Sequence, residues 1–354
     1  MRDKRIVLTG GAGFIGSRLT RTLAAAGARC WVFDNLHPQV HGEDAKVPDL
    51  GEGSVFVRGD VADAPALKAL VGEVQPDVVY HLAAETGTGQ SMDEPARYCR
   101  VNVMGTANLL EAMHACATPP ARLVLPSSRA IYGEGAYLTA AGDVVVPPPR
   151  DPEAMSGGRF EPEIEGAGPL QACPTPEDVP LRPCSVYAST KLMQEHLVQQ
   201  TSQDQPWRTA ILRLQNVYGP GQSLRNPYTG VLSIFTQLLK SGATLNVFED
   251  GQIVRDFVYV DDVVQAFVLA GDPERPSVLA NIGSGETTTI LQAVHELAGL
   301  LGRQGDVFRI SGDFRVGDIR HAVADIRRAR AELGWAPRMS FPDGLRALVN
   351  WAEA

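Results

Sequence analysis

The sequence predicts an α/β chain: a doubly wound parallel sheet joined to a smaller α/β lobe toward the C-terminus. Three observations predict it. Short apolar runs alternate with stretches of helical spacing through the first half of the chain. The runs are apolar throughout rather than alternating, which marks strands covered on both faces. A glycine-punctuated turn separates the first run from the first helical pattern, as in sheets that bind ligands at the carboxyl ends of their strands.

In chain order, Ile6-Val7-Leu8 reads as a buried strand. Phe14 to Ala26 has helical spacing and stops at Gly27, a residue suited to the position after a helix. Trp31-Val32-Phe33, Val55-Phe56-Val57, Val78-Val79-Tyr80 and Leu123-Val124-Leu125 follow as further strands. From about Val144 to Pro183 the character changes: ten prolines, several glycines and the acids Glu161, Glu163 and Glu165, with few periodic apolar positions. This is expected to be a long insertion or surface loop. It is either a spacer or a flap over a site, since Tyr187 follows directly. Beyond Gln215, residues 219–251 and the stretch after Gly283 are expected to build the smaller lobe. Between them, Phe257-Val258-Tyr259-Val260 and a helix from near Asp261 are expected to return to the large sheet. The predicted division is 1–214 plus 256–282 for the large domain, with its insertion at about 144–183, and 215–255 plus 283–354 for the lobe.

Bulk properties narrow the function. A chain of 354 residues fits one large domain or two joined lobes, and 44% hydrophobic with 21% charged residues is ordinary for a soluble enzyme. Net charge is −9, which argues against a broad nucleic-acid surface. An anionic ligand would have to be met by a few placed cations. The cysteines Cys30, Cys99, Cys116, Cys173 and Cys184 are scattered, with no CxxC pair. Free thiols in a reducing cytoplasm are expected, with no metal site. Met1-Arg2-Asp3-Lys4-Arg5 leads straight into a strand without a signal-peptide core. No run of about 18 apolar residues occurs, so no membrane span is expected.

The turn Thr9-Gly10-Gly11-Ala12-Gly13-Phe14-Ile15-Gly16 carries glycines in a GxxGxxG pattern. Gly10 permits the tight turn, Gly13 lets a pyrophosphate approach the backbone, and Gly16 lets helix and strand pack closely. The helix start, including Phe14 and Ile15, then offers free amides and a positive dipole end to phosphate. Asp34 ends the second strand, 18 residues after Gly16. A carboxylate there accepts from ribose hydroxyls and repels a 2′-phosphate, so NAD is expected rather than NADP. Asp60, after the third strand, either reaches the adenine or is an exposed turn acid; Asn35 and Val61 stand beside these two acids in the candidate cofactor set.

Tyr187-Ala188-Ser189-Thr190-Lys191 is a YxxxK pattern at the start of a helical stretch. Spacing of four puts both side chains on one face. A nearby ammonium, with the positive nicotinamide, is expected to lower the phenol pKa and make Tyr187 a general base. Ser128 closes the run Leu125-Pro126-Ser127-Ser128 at the end of a predicted parallel strand, where it can donate to the reacting oxygen.

With these motifs the chain resembles the extended short-chain dehydrogenase/reductases, in particular the nucleotide-sugar 4-epimerases. The resemblance spans about residues 5 to 350 through TGGAGFIGS, DNL, HLAAETGTGQSM, VNVMGT, SSRAIYGEG, SVYASTK, LRLQNVYGPGQ, RDFVYVDD and NIGSGE. It implies a Rossmann fold, a Ser128, Tyr187 and Lys191 triad, and a cofactor lined by Leu82, Ala83, Ala84 and Asn102. It implies that Asn216 touches the nucleotide-sugar, that Arg255 meets its diphosphate, and that Arg315 and Asp318 hold phosphate and nucleotide ribose; Thr86 joins this substrate set. It also implies a homodimer through helices around 95–115 and 187–203. The dehydratases of this group carry Asp-Glu after the Ser or Thr, and its decarboxylases tend to carry Glu. Here Arg129 and Ala130 stand there. Reversible C4 oxidation with retained NAD is the remaining expectation. ETGTGQSM, SSRAIYGEG and the insertion are similar to dTDP-L-rhamnose 4-epimerases, which form dTDP-6-deoxy-L-talose. Arg129 either contacts an acidic or hydroxylated sugar carbon, which keeps UDP-glucose and UDP-glucuronate open as substrates, or is a structural arginine paired with a nearby acid. A non-catalytic NAD(H)-sensing protein is the alternative from another class.

Overall fold

The computed structural model describes residues 1–223 and 230–353. Seven parallel strands form one sheet: β1 (Arg5–Thr9), β2 (Arg29–Asp34), β3 (Val55–Arg58), β4 (Val78–His81), β5 (Arg122–Ser128), β6 (Arg208–Leu214) and β7 (Val278–Ile282). Their order is β3-β2-β1-β4-β5-β6-β7. The winding reverses between β1 and β4, and a crevice opens at the carboxyl ends there.

The helices that position the site are α1 (Phe14–Ala25), α2 (Ala64–Val74), α3 (Gly105–His114), α4 (Val186–Thr201), α5 (Val231–Lys240), α6 (Val260–Ala270), α7 (Ile290–Leu300) and α8 (Phe341–Glu353). Side chains alternate across a strand, and β1 shows it: Ile6 and Leu8 join one core, Val7 the other. On the first face, α1 and α6 bury Leu19, Leu23, Val263 and Phe267. On the second, α2, α3 and α4 bury Leu67, Val71, Leu109, Met113 and Val198. Both faces are therefore covered, which is why the strands read as unbroken apolar runs. The smaller lobe has its own core, where Leu232, Leu239, Val294, Leu297, Leu345 and Leu348 from α5, α7 and α8 meet Leu245 and Val247.

Two expectations are corrected. Phe257–Tyr259 does not return to the large sheet; it pairs in parallel with Asn216–Tyr218 as a separate two-stranded element. The edge place beside β6 is taken by β7 instead. The helix that follows, α6, does pack on the large sheet. The 144–183 segment is not a loose surface loop. Val144–Val145 and Gln171–Ala172 flank Tyr137–Leu138 in a three-stranded antiparallel sheet. Val146 and Val179 share a core with Ile131 and Tyr132. Its Arg150, Thr175 and Glu177 are buried, so charged and polar groups order it where apolar periodicity is sparse.

Candidate active site

At the end of β1, Gly10 adopts φ +69°, and a Cβ there would lie 2.4 Å from the Ala83 amide nitrogen. A Cβ on Gly16 would lie 2.3 Å from the Gly10 carbonyl oxygen. Gly13 caps α1 without any side-chain hydrogen bond, so the first-turn amides stay free for an anion. Gly10→Ala is therefore expected to yield protein that loses NAD on purification and melts lower. The cofactor-to-protein ratio after denaturing release checks this, and a full complement of NAD would count against it.

Asp34 is buried beside this turn and accepts from the amides of Ala12 (3.0 Å) and Leu36 (2.9 Å). It thus ties the glycine turn to the loop after β2 while facing the cavity. His41 approaches it to 4.0 Å, with burial holding the imidazole below its ordinary value. Asp60 accepts from the Ala62 amide (2.8 Å) and from Asn35 (3.2 Å). Two carboxylates on this wall suit ribose hydroxyls and oppose a 2′-phosphate.

At the other end of the crevice, Ser128 closes β5 and its Oγ accepts from the Ala130 amide (3.2 Å). Ser185 caps α4 by accepting from Ala188 (3.1 Å), placing Tyr187 and Lys191 in the first two turns. Ser128 stands beside the Tyr187 phenol and favours its ionised form. The phenol pKa is raised, not lowered as the sequence suggested: burial outweighs Ser128 and the Arg129 charge. The Lys191 ammonium, also buried, is brought down to about 7 by desolvation, with Glu195 opposing.

Toward the smaller lobe, Arg129 Nε donates to Asn216 Oδ1 (2.7 Å). Desolvation first and then the charge of Arg255 bring its pKa down to about 9. No acid pairs directly with Arg129 among the described residues, which leaves its charge available to an anionic ligand. Arg255 is held by the carbonyls of Val254 (2.9 Å) and Ile319 (2.8 Å) and by Asp318 Oδ1 (2.7 Å). Arg315 stands over the Phe248 ring at 4.9 Å. The segment after β4 is pinned where the Thr86 carbonyl accepts from Tyr98 (2.7 Å).

A cavity of about 660 Å³ collects nearly every residue expected from the sequence. Gly10, Gly13, Phe14, Ile15, Gly16, Asp34, Asn35, Asp60 and Val61 line one end; Leu82, Ala83, Ala84 and Thr86 line its floor. Ser128, Tyr187 and Lys191 meet Arg129, Asn216, Arg255, Arg315 and Asp318 at the other. Asn102 is the exception. It is wholly buried behind the wall, accepting from the Glu85 amide (2.8 Å) and donating to the Glu85 carbonyl (3.1 Å) and to Thr190 (3.0 Å). It shapes the floor rather than lining it.

The sequence did not single out Glu85, Gln215, Phe248 or His41, which also line the cavity. Glu85 follows Ala84 in a quoted motif, so proximity was an available signal; Phe248 lies far from any motif and offered none. The Ser127 hydroxyl and the Gln215 side-chain oxygen are buried in this wall without a partner, and a polar ligand would supply one. The free helix start, the glycine cradle and the acids together fit a dinucleotide. The loops after β2 and β4 are laced together. Gln39 and Gln90 exchange side-chain hydrogen bonds (2.7 and 3.1 Å), and Arg97 joins Gln39 (3.0 Å) to Glu85 (2.7 Å). No three-residue His, Cys, Asp or Glu group suited to a metal, and no helix long and apolar enough to cross a membrane, occurs among the described residues.

Comparison with known proteins agrees with this geometry. The chain is 43% identical over 350 residues to the dTDP-L-rhamnose 4-epimerase of Burkholderia thailandensis, covering 98% of this chain and 94% of the relative. The UDP-glucose 4-epimerase of Thermotoga maritima, solved with UDP-glucose, superposes with a TM-score of 0.79 at 30% identity over 98% of both chains. The Thermus thermophilus UDP-glucose 4-epimerase, solved with NAD, gives a TM-score of 0.76 at 29% identity, covering 100% of this chain and 99% of that one. The family model described as the NAD dependent epimerase/dehydratase family matches residues 6–152 and 165–283. A fold, a nucleotide crevice and a likeness that each run nearly end to end place this chain in the NAD dependent epimerase/dehydratase family.

Proposed function

We propose that the enzyme is a nucleotide-sugar 4-epimerase acting on dTDP-L-rhamnose and dTDP-6-deoxy-L-talose. The observation that carries the reaction type is the turn after Ser128. Arg129 and Ala130 offer no acid beside the reacting carbon, so elimination of water has no local proton donor, and Tyr187 is left to carry the proton. The likeness to the Burkholderia dTDP-L-rhamnose 4-epimerase supports the choice of sugar.

NAD bound in this crevice supplies an acceptor and then a donor of hydride for the C4 carbon. Tyr187, as phenolate, takes the C4 hydroxyl proton and later returns it. Ser128, beside that phenol, orients the reacting oxygen. Lys191, one turn further along the same helix as Tyr187, would hold the nicotinamide ribose. Arg255, fixed by two carbonyls and Asp318, meets the diphosphate. Arg129 and Arg315 add guanidinium donors, whose fork suits phosphate oxygens. Thr86 and Asn216 border the sugar, and the clamped nucleotide leaves a 4-keto sugar free to turn. Residues 1–214 with 256–282 serve NAD, and 215–255 with 283–354 serve the nucleotide-sugar. The unpaired cysteines suit a reducing cytoplasm. Exposed Met104 and Met193 mark the helices proposed to pair in a homodimer, which light scattering tests.

The test is incubation of purified protein, without added cofactor, with dTDP-L-rhamnose, followed by proton NMR. The 6-deoxy-talose epimer is the expected product. No conversion, with NAD shown to be bound, would move the substrate to UDP-glucose or UDP-glucuronate. Arg129→Met is expected to raise the substrate KM roughly ten- to a hundred-fold, the range of a charge-assisted hydrogen bond. An unchanged KM would remove Arg129 from the substrate set.

A further inference from the structure

Lys191 does not stand alone beneath the crevice. Its Nζ donates to Gln194 Oε1 (2.5 Å), and Gln194 Nε2 donates to Thr106 Oγ1 (2.7 Å). Thr106 Oγ1 also contacts His81 Nε2 (2.9 Å) and donates to the Asn102 carbonyl (2.6 Å). A hydroxyl has one proton to give and two lone pairs. With the Thr106 proton on Asn102, both lone pairs must accept, one from Gln194 and one from His81. His81 is therefore the Nε2–H tautomer, and its bare Nδ1 accepts from Thr9 Oγ1 (2.7 Å). Burial keeps that imidazole neutral, its pKa brought down to about 3.

The inventory fixes the Gln194 amide at both ends. Turned over, it would present a donor to the ammonium and an acceptor to a hydroxyl with no proton left. All of these side chains are buried, where an unmatched pair is costly. The chain starts at the end of β1, beside the glycine turn, and finishes at Lys191 on α4.

We propose that Gln194 is a positioning residue for Lys191, its carbonyl holding one ammonium hydrogen while Thr106 and His81 prevent the amide from turning. The proposal rests on the assignment of Tyr187 and Lys191 as the working pair. The titratable and charged groups around Lys191 are Tyr187 and Glu195 on its own helix and neutral His81 on β4. Arg213 on β6 pairs with Glu195 (2.8 Å), and Arg129 follows β5. Glu195 is held by Arg213 in a two-pronged pair (3.0 and 2.8 Å). Gln194 is thus the acceptor that the ammonium touches directly.

The sequence has lysines at Lys4, Lys46, Lys68, Lys191 and Lys240, few enough to follow by NMR of protein labelled at lysine Cε. Lys191→Met assigns the signal, and the protein is titrated as purified, with its NAD. In Gln194→Leu the charged form loses its acceptor, and the Lys191 midpoint is expected to fall by about one unit or more. In Gln194→Glu a carboxylate replaces the carbonyl, and the midpoint is expected to rise. The alkaline limb of kcat should follow the same two directions while substrate KM stays within about two-fold. Unmoved midpoints in both variants would overturn the proposal. If Gln194→Leu does not fold, the direction in Gln194→Glu decides alone. Midpoints that move in a protein turning over no nucleotide-sugar would support the positioning role and sink the functional assignment instead.

Discussion

Tyr187→Phe is expected to lower epimerase turnover by roughly 10²- to 10⁴-fold, the usual worth of a positioned acid–base group, with NAD still bound. The turn after Ser128 carries Arg129 and Ala130 and offers no acid, so in the proposed reaction the proton falls to the phenol. Its ring is half-buried and packed edge-on against Tyr98 at 6.4 Å between centroids. Phenylalanine fills that space without cost in packing. The loss should therefore fall on kcat with little change in KM, the pattern of an interaction used in the transition state. Proton NMR of the dTDP-L-rhamnose reaction, with cofactor content and melting temperature measured in parallel, separates chemistry from folding. Retained turnover would remove Tyr187 as the base.

Arg150→Met is expected to cost about 3–5 kcal/mol of stability, as when one partner of a buried ion pair is deleted. Arg150 pairs with Glu134 at 3.1 Å and Glu249 at 2.9 Å, all three side chains at most 2% exposed. Its Nη2 also donates to the Asp318 carbonyl (2.8 Å), behind the carboxylate that holds Arg255. Arg320 keeps Glu249 paired at 3.0 Å in the variant. Glu134 is left with the Arg320 amide (2.7 Å) alone. Burial already raises the Glu134 pKa, with Arg150 opposing, so the variant raises it further. A carboxyl raised in the folded state contributes stability that is complete below its unfolded pKa and lost as pH rises through the folded one. The deficit should therefore be largest near neutral pH and shrink on acidification toward pH 5. Denaturant unfolding at two pH values checks it; an equal deficit at both would assign the cost elsewhere.

The large sheet was legible because its strands are covered on both faces and announce themselves as apolar runs. The nucleotide turn was legible because Gly10 and Gly16 meet backbone at distances that admit no side chain. The 144–183 segment was not, because what orders it is long-range: Arg150 finds Glu249 across 99 residues and Asp318 across 168. Such pairs leave no local period. Phe257–Tyr259 misled for the opposite reason. An apolar run states that a strand is buried, not which sheet receives it. Asn102 and Gln194 show the limit at the site itself. A polar residue behind the wall has the same composition signal as one in it, and only the inventory of donors and acceptors separates them.

The lacing of Gln39, Gln90, Arg97 and Glu85 between the loops after β2 and β4 braces one wall of the cavity and bears on how the enzyme relates to its surroundings. With the dinucleotide retained through the cycle, as proposed above, each copy of the enzyme works with its own. On that proposal the reducing equivalent taken from one face of the sugar is handed back to the other within the same protein. Catalysis then neither draws on nor perturbs the cell's ratio of oxidised to reduced nicotinamide, and the balance of the two sugars follows their own relative stability.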